Sequence, residues 1–86
     1  MEEELGYITH YFSKIGVAVI EITAGSLKVG ETIHIKGRTS DFTQAVASLQ
    51  QEHQPIPEAK KGVSVGLKVN EAVREGDRVF KVKDGA

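Results

Sequence analysis

The sequence predicts an all-β fold, a small closed antiparallel β-barrel of about six strands. Three observations carry that expectation. Aliphatic residues alternate with polar ones in Thr32–Lys36 and again over residues 63–69, glycine-centred turns recur between apolar runs, and no segment shows a full helical stripe. Closure into a barrel would also remove the exposed edges that an open sheet leaves.

Residues 5–12 and 15–22 are rich in β-branched and aromatic side chains, and Ser13-Lys14 between them reads as a hairpin or tight connection. Gly16 within the second run predicts a bend or bulge. Ala24-Gly25-Ser26 ends that strand. Leu27-Lys28-Val29-Gly30-Glu31 then makes a turn in which Gly30 takes the positive φ that a β-branched residue resists. In the strand that follows, Ile33 and Ile35 point one way and His34 and Lys36 the other, so the histidine is expected toward solvent.

Residues 41–53 admit two assignments. Ala45, Ala47, Leu49 and the glutamines suit a helix, whereas Phe42, Thr43 and Val46 suit a strand. Phe42, Val46 and Leu49 do not complete a helical stripe, so the segment is assigned as a strand bulged between Val46 and Leu49, with a partly helical segment as the alternative. Gln54-Pro55-Ile56-Pro57 reads as a loop, because two prolines remove ladder donors. Past Ala59-Lys60-Lys61-Gly62, the residues Val63, Val65, Leu67 and Val69 put the core on one face only, and Gly66 leaves space for an approaching backbone. Arg74-Glu75-Gly76-Asp77 makes a last turn before a strand over 78–83. It repeats the order basic, any, glycine, acidic of Lys28-Val29-Gly30-Glu31.

A chain of 86 residues with 40% hydrophobic and 27% charged content has room for one core, expected as a single domain over 1–86 with its body at about 5–83 and short tails, acidic at the N-terminus and at 84–86 beyond the body. Without cysteine there can be no disulfide, thiolate metal site or cysteine nucleophile. The longest apolar run, residues 16–20, falls far short of the roughly 18 residues of a membrane helix, and Met1-Glu2-Glu3-Glu4 is acidic where a targeting signal is basic. A cytoplasmic protein without a membrane partner is therefore expected. The formal charge of −1 confines any phosphate binding to a local patch.

Several stretches resemble the second, β-barrel domain of elongation factor Tu and related translational GTPases. They are Leu27-Lys28-Val29-Gly30-Glu31, Ile33-His34-Ile35, residues 46–49, Ala59 with Gly62, Val65-Gly66-Leu67, and Glu75-Gly76-Asp77-Arg78-Val79. Together they span about Gly6 to Val82. The chain is similar also to small stand-alone translation-factor-like proteins and to the barrel appended to some collagenase-like peptidases. No Gly-rich loop ending in Gly-Lys-Ser/Thr is present, which excludes GTP hydrolysis by this chain. Where the elongation factor barrel has a basic residue just after the strand matching 63–69, this chain has Asn70-Glu71, so a role at the aminoacyl end of tRNA is not carried over.

His10, His34 and His53 show no metal-ligand spacing, and Ser13, Ser26, Ser48 and Ser64 lie in no nucleophile elbow, so neither a metal, a cofactor nor a catalytic group is expected. Lys36, Arg38, Lys60 and Lys61 are the candidate RNA-contacting residues, on a face where Tyr7, Tyr11 or Phe12 can stack a base. The resemblance thus implies a module without catalysis that contacts RNA or a ribosome-associated partner. The alternative is a module that docks on a larger protein through Ile56, which the stiff Pro55-Ile56-Pro57 segment presents at low entropic cost. A hydrolase ranks last, since a shared fold does not transfer chemistry.

Overall fold

The computed structural model describes residues 2–38, 40–52 and 54–82. Ten short strands form in chain order: β1 Glu2–Phe12, β2 Val17–Ile22, β3 Ser26–Lys28, β4 Thr32–Lys36, β5 Asp41–Ala45, β6 Leu49–Gln51, β7 Gln54–Ile56, β8 Glu58–Lys60, β9 Ser64–Lys68 and β10 Arg78–Val82. Eight of them build one antiparallel sheet in the order β5-β4-β10-β1-β2-β9-β6-β7, and β3 pairs with β8 in a separate two-stranded sheet. The core is one cluster that includes Leu5, Ile8, Ile20, Ile22, Leu27, Ile33, Ile35, Leu49, Val65, Leu67 and Val79, each 2% exposed or less. With a Cα radius of gyration of 11.5 Å the chain is compact.

The all-β antiparallel expectation holds, but the closed barrel does not. Among the described residues β5 and β7 form the two edges of the sheet and share no ladder. The chain passes from the β5 edge to β6 through residues 46–48, and a side chain adds a link from β5 to the end of β9. Gln44, buried on β5, donates from Nε2 to the Lys68 carbonyl at 2.8 Å and accepts the Asn70 N–H on Oε1 at 2.8 Å. One amide thus makes both bonds of that link.

The strand count exceeds six because several segments read as turns or loops do pair. Leu27 and Lys28 belong to β3, with Leu27 fully buried opposite Ala59. Residues 54–56 form the edge strand β7, in register Leu49↔Ile56, Gln50↔Pro55 and Gln51↔Gln54. An edge tolerates Pro55 because one side of its backbone needs no donor, and the proline discourages pairing with another chain. Residues 41–51 are two strands, β5 and β6, broken at 46–48, so strand rather than helix is the correct assignment there. His53 and residues 83–86 lie outside the described residues.

Gly16 sits in the β1–β2 turn rather than in a bulge. Its N–H bonds the Phe12 carbonyl at 2.9 Å, and its φ of 66° is a left-handed value that suits glycine. The two echoing motifs prove to be one device used twice. In each, the acidic N–H bonds back to the basic residue's carbonyl, Glu31 to Lys28 at 3.2 Å and Asp77 to Arg74 at 3.1 Å. In each, the acidic side chain also accepts the basic residue's N–H, at 2.7 Å from Lys28 and 3.0 Å from Arg74. The glycine between them has positive φ, 97° at Gly30 and 91° at Gly76, as a type II turn requires at its third position. These capped turns launch β4 and β10, which pair with each other.

Candidate functional site

Three surface regions gather side chains able to bind something. The first is apolar and grows out of the β1–β2 hairpin. Its turn projects Phe12, 48% exposed, and Ile15, 63% exposed. Along β2 the inward residues are Ala18, Ile20 and Ile22, while Val17 and Val19 face outward and are half-buried. Next to β2, Gly66 on β9 has no side chain, and a Cβ there would touch Val17 at 3.4 Å. Beyond it, β6 meets β9 only at Gln50↔Gly66. The result is a groove of about 240 Å³ lined by Phe12, Ile15, Val17 and Val19, with Gln50, Glu52 and Ser64 at its polar side. A second recess lined by Val17, Ser48, Gln50 and Lys68 continues it.

The second region is a cationic cleft of about 440 Å³ between the turn that follows β4 and the turn that precedes β10. Lys36, Arg38, Arg74 and Arg78 line it together with Glu75 and Asp77. Asp77 is buried and spent on the turn, its carboxylate lying against the Gly37 backbone, and Arg78 is paired to Glu4 at 3.0 Å.

The third is a histidine–carboxylate pair on the outer face of the sheet. His34 Nε2 lies 2.5 Å from Asp41 Oδ1, and its ring stands 6.3 Å from that of Phe80. His34 is therefore on the outward side of β4, as expected, but engaged. The hydrogen bond from His34 holds the Asp41 carboxyl below its ordinary range; desolvation opposes it, and the still smaller attractions of the His34 and Lys36 charges add to it. Among the described residues no group of three or more His, Cys, Asp or Glu is placed to hold a metal ion.

The candidate RNA-contacting residues fall into two places. Lys36 and Arg38 are at the cationic cleft, where β4 ends opposite Arg78. Lys60 pairs with Ser26, whose carbonyl accepts Lys81 Nζ at 3.0 Å, and Lys81 lies opposite Ile33 at the other end of β4. Lys61 follows Lys60 in the next turn. Ile56 is half-buried and packs against the core instead of standing out from it. The residues missed by the sequence reading are Val17 and Val19, although the unbroken run at 16–20, apolar in both parities, was the available signal.

No protein-family model matches the chain. Over 82 residues, 94% of its length, it is 43% identical to a protease of Methanocaldococcus jannaschii that is otherwise uncharacterized. It resembles part of a peptidase. A collagenase of Porphyromonas gingivalis is 38% identical over 72 residues, 83% of the chain. The chain spans about a fifth of the length of these relatives, 20% of each. Among solved structures, the C-terminal domain of a Geobacillus thermoleovorans protein described as a U32 peptidase superposes with a TM-score of 0.87 over 94% of this chain and 93% of that one, at 19% identity. That likeness shows a shared fold.

These findings correct the translation-factor resemblance. The matches lie with proteins named protease and collagenase and with a U32 peptidase C-terminal domain, not with the second domain of elongation factor Tu. The expected RNA or ribonucleoprotein module is overturned by the same findings, and the expectation that the chain is not an enzyme is corrected by matches that point to a peptidase family. Among the stated resemblances, the one to a domain of collagenase-like peptidases agrees with these matches. The capped glycine turns that suggested elongation factors are fold devices and carry no function of their own.

Proposed function

We propose that this chain serves as the β-rich domain of a collagenase-like peptidase of the U32 kind, acting on polypeptide substrates together with a catalytic portion. The observation that carries the reading is the 43% identity over 94% of the chain to one fifth of a protease. Identity at that level over nearly the whole chain goes with a shared core. The shared fold with a U32 peptidase C-terminal domain supports it independently. In this reading the chemistry resides in the four-fifths of the relatives outside the match, and the β domain positions that portion or its substrate.

Replacement in the Methanocaldococcus jannaschii protease tests the reading. Deleting the matching fifth should reduce hydrolysis of an unfolded protein substrate, and inserting this chain in its place should restore it. Restoration by an unrelated β domain of the same size would show that only bulk is needed and would sink the proposal.

A further inference from the structure

The outer face of β2 is the feature that the isolated domain leaves unexplained. A sheet strand facing water on one side alternates apolar with polar, and a strand covered on both sides is apolar throughout. β2 is of the second kind over Val17, Ala18, Val19 and Ile20, yet the described residues leave Val17 and Val19 only half-buried. Phe12 and Ile15, held beside them by the tight turn, extend the same face into solvent. Apolar surface gathered in one place on a polar-rimmed molecule marks an interaction site.

We infer that the groove of Phe12, Ile15, Val17 and Val19 seats an apolar ridge of the catalytic portion of a collagenase-like peptidase. This rests on the proposed function, and it names the surface that function uses. Two observations select that occupant. Relatives of this chain are about five times its length, so in them a large body adjoins this domain. The groove is also poorly suited to a free peptide. Its walls are aliphatic and aromatic, with Gln50, Glu52 and Ser64 confined to one side, so few polar groups are placed to hold a peptide backbone along its length. Rigid apolar walls with polar residues only at one side are the make-up of a domain interface.

Because the chain has no cysteine, single introduced thiols report the exposure of this face cleanly. Phe12→Cys and Ile15→Cys are made in the free 86-residue chain and in the Methanocaldococcus jannaschii protease carrying this chain in place of its own segment. Arg38→Cys, on the cationic cleft, is the control. Maleimide labelling is followed by peptide mass mapping. In the free chain all three thiols should react quickly at every protein concentration. In the fusion, Phe12→Cys and Ile15→Cys should slow by about tenfold or more, as burial at an interface demands, while Arg38→Cys stays fast.

A double variant, Phe12→Cys with Ile15→Asp, should react quickly again in the fusion while the free chain keeps its melting temperature, since Ile15 is largely exposed. Fast labelling of both groove thiols in the fusion overturns the inference. So does slowing only at Arg38→Cys, or concentration-dependent slowing in the free chain, which assigns the face to a second copy. Hydrolysis of an unfolded protein substrate by the same fusion is read separately. Activity with an open groove leaves the peptidase reading standing without this interface, and a protected groove without activity does the reverse.

Discussion

Replacing Gln44 with leucine should cost far more than an exposed amide is worth, because this one side chain ties the β5 edge to the chain leaving β9. Gln44 is 6% exposed, and both ends of its amide are used at 2.8 Å. Leucine fits the volume but strands two backbone groups, the Lys68 carbonyl and the Asn70 N–H. Two unsatisfied groups at about 1–3 kcal/mol each, less about 1–2 kcal/mol returned by the added apolar burial, give a net loss of about 0–5 kcal/mol, centred on roughly 2–3 kcal/mol. For a domain of this size that is a fall in Tm of roughly 10–20 °C. Urea unfolding followed by far-ultraviolet circular dichroism reads it as a lower midpoint at unchanged slope. Gln44→Glu keeps the acceptor for Asn70 but sets a carboxylate oxygen against the Lys68 carbonyl, so it should be at least as damaging at neutral pH and recover in part in acid. A loss below about 0.5 kcal/mol for Gln44→Leu would mean that the amide does not hold β5 to the end of β9.

Gly6→Ala puts a Cβ into the Glu21 backbone carbonyl on the neighbouring strand, where no side chain can swing away, and should destabilise by at least the roughly 1–3 kcal/mol of an overpacked core; a Tm within experimental error of the parent would contradict that contact. The Tyr7 hydroxyl donates to Glu21 at 2.5 Å, and that bond, then the Glu21 charge, raises its pKa above the ordinary 10.0. Its stabilisation is full below the unfolded value and is lost as pH rises through the folded one, so Tyr7→Phe should flatten the alkaline limb of a Tm-against-pH curve. For Asp41 the sign is opposite. Its pKa is lowered, so its contribution is present above the unfolded value and disappears as pH falls through the folded one, and Asp41→Asn should remove that acid-side dependence.

Much of the architecture is legible where a residue has one physical job. The alternation Ile33, Ile35 and Val65, Leu67 marks strands with one buried face, and Gly30 and Gly76 mark turns that need positive φ. Barrel closure was not legible, because it depends on which distant edges meet, and here β5 and β7 do not pair while Gln44 links β5 to the end of β9. Residues 54–56 read as a loop because Pro55 forbids a central strand, and the same proline is compatible with an edge. Ile56 looked exposed for that reason, yet pairing with Leu49 turns it toward the core. The basic residues could not be grouped from sequence, since β4 separates Lys36 from the end where Lys60 lies. The groove was half visible. The run at 16–20 announces a strand covered on both sides, but only the placement of Phe12 and Ile15 beside Val17 and Val19 shows that the described residues cover the second side in part.

The central claim is that this chain does its work within a collagenase-like peptidase. The most direct measurement compares hydrolysis of an unfolded protein substrate by the Methanocaldococcus jannaschii protease intact, lacking the matching fifth, and carrying this chain in that place. Rates restored by this chain and lost again in the Ile15→Asp form are the predicted result. Equal rates for the deleted and the substituted protein, with both folded, would contradict the account.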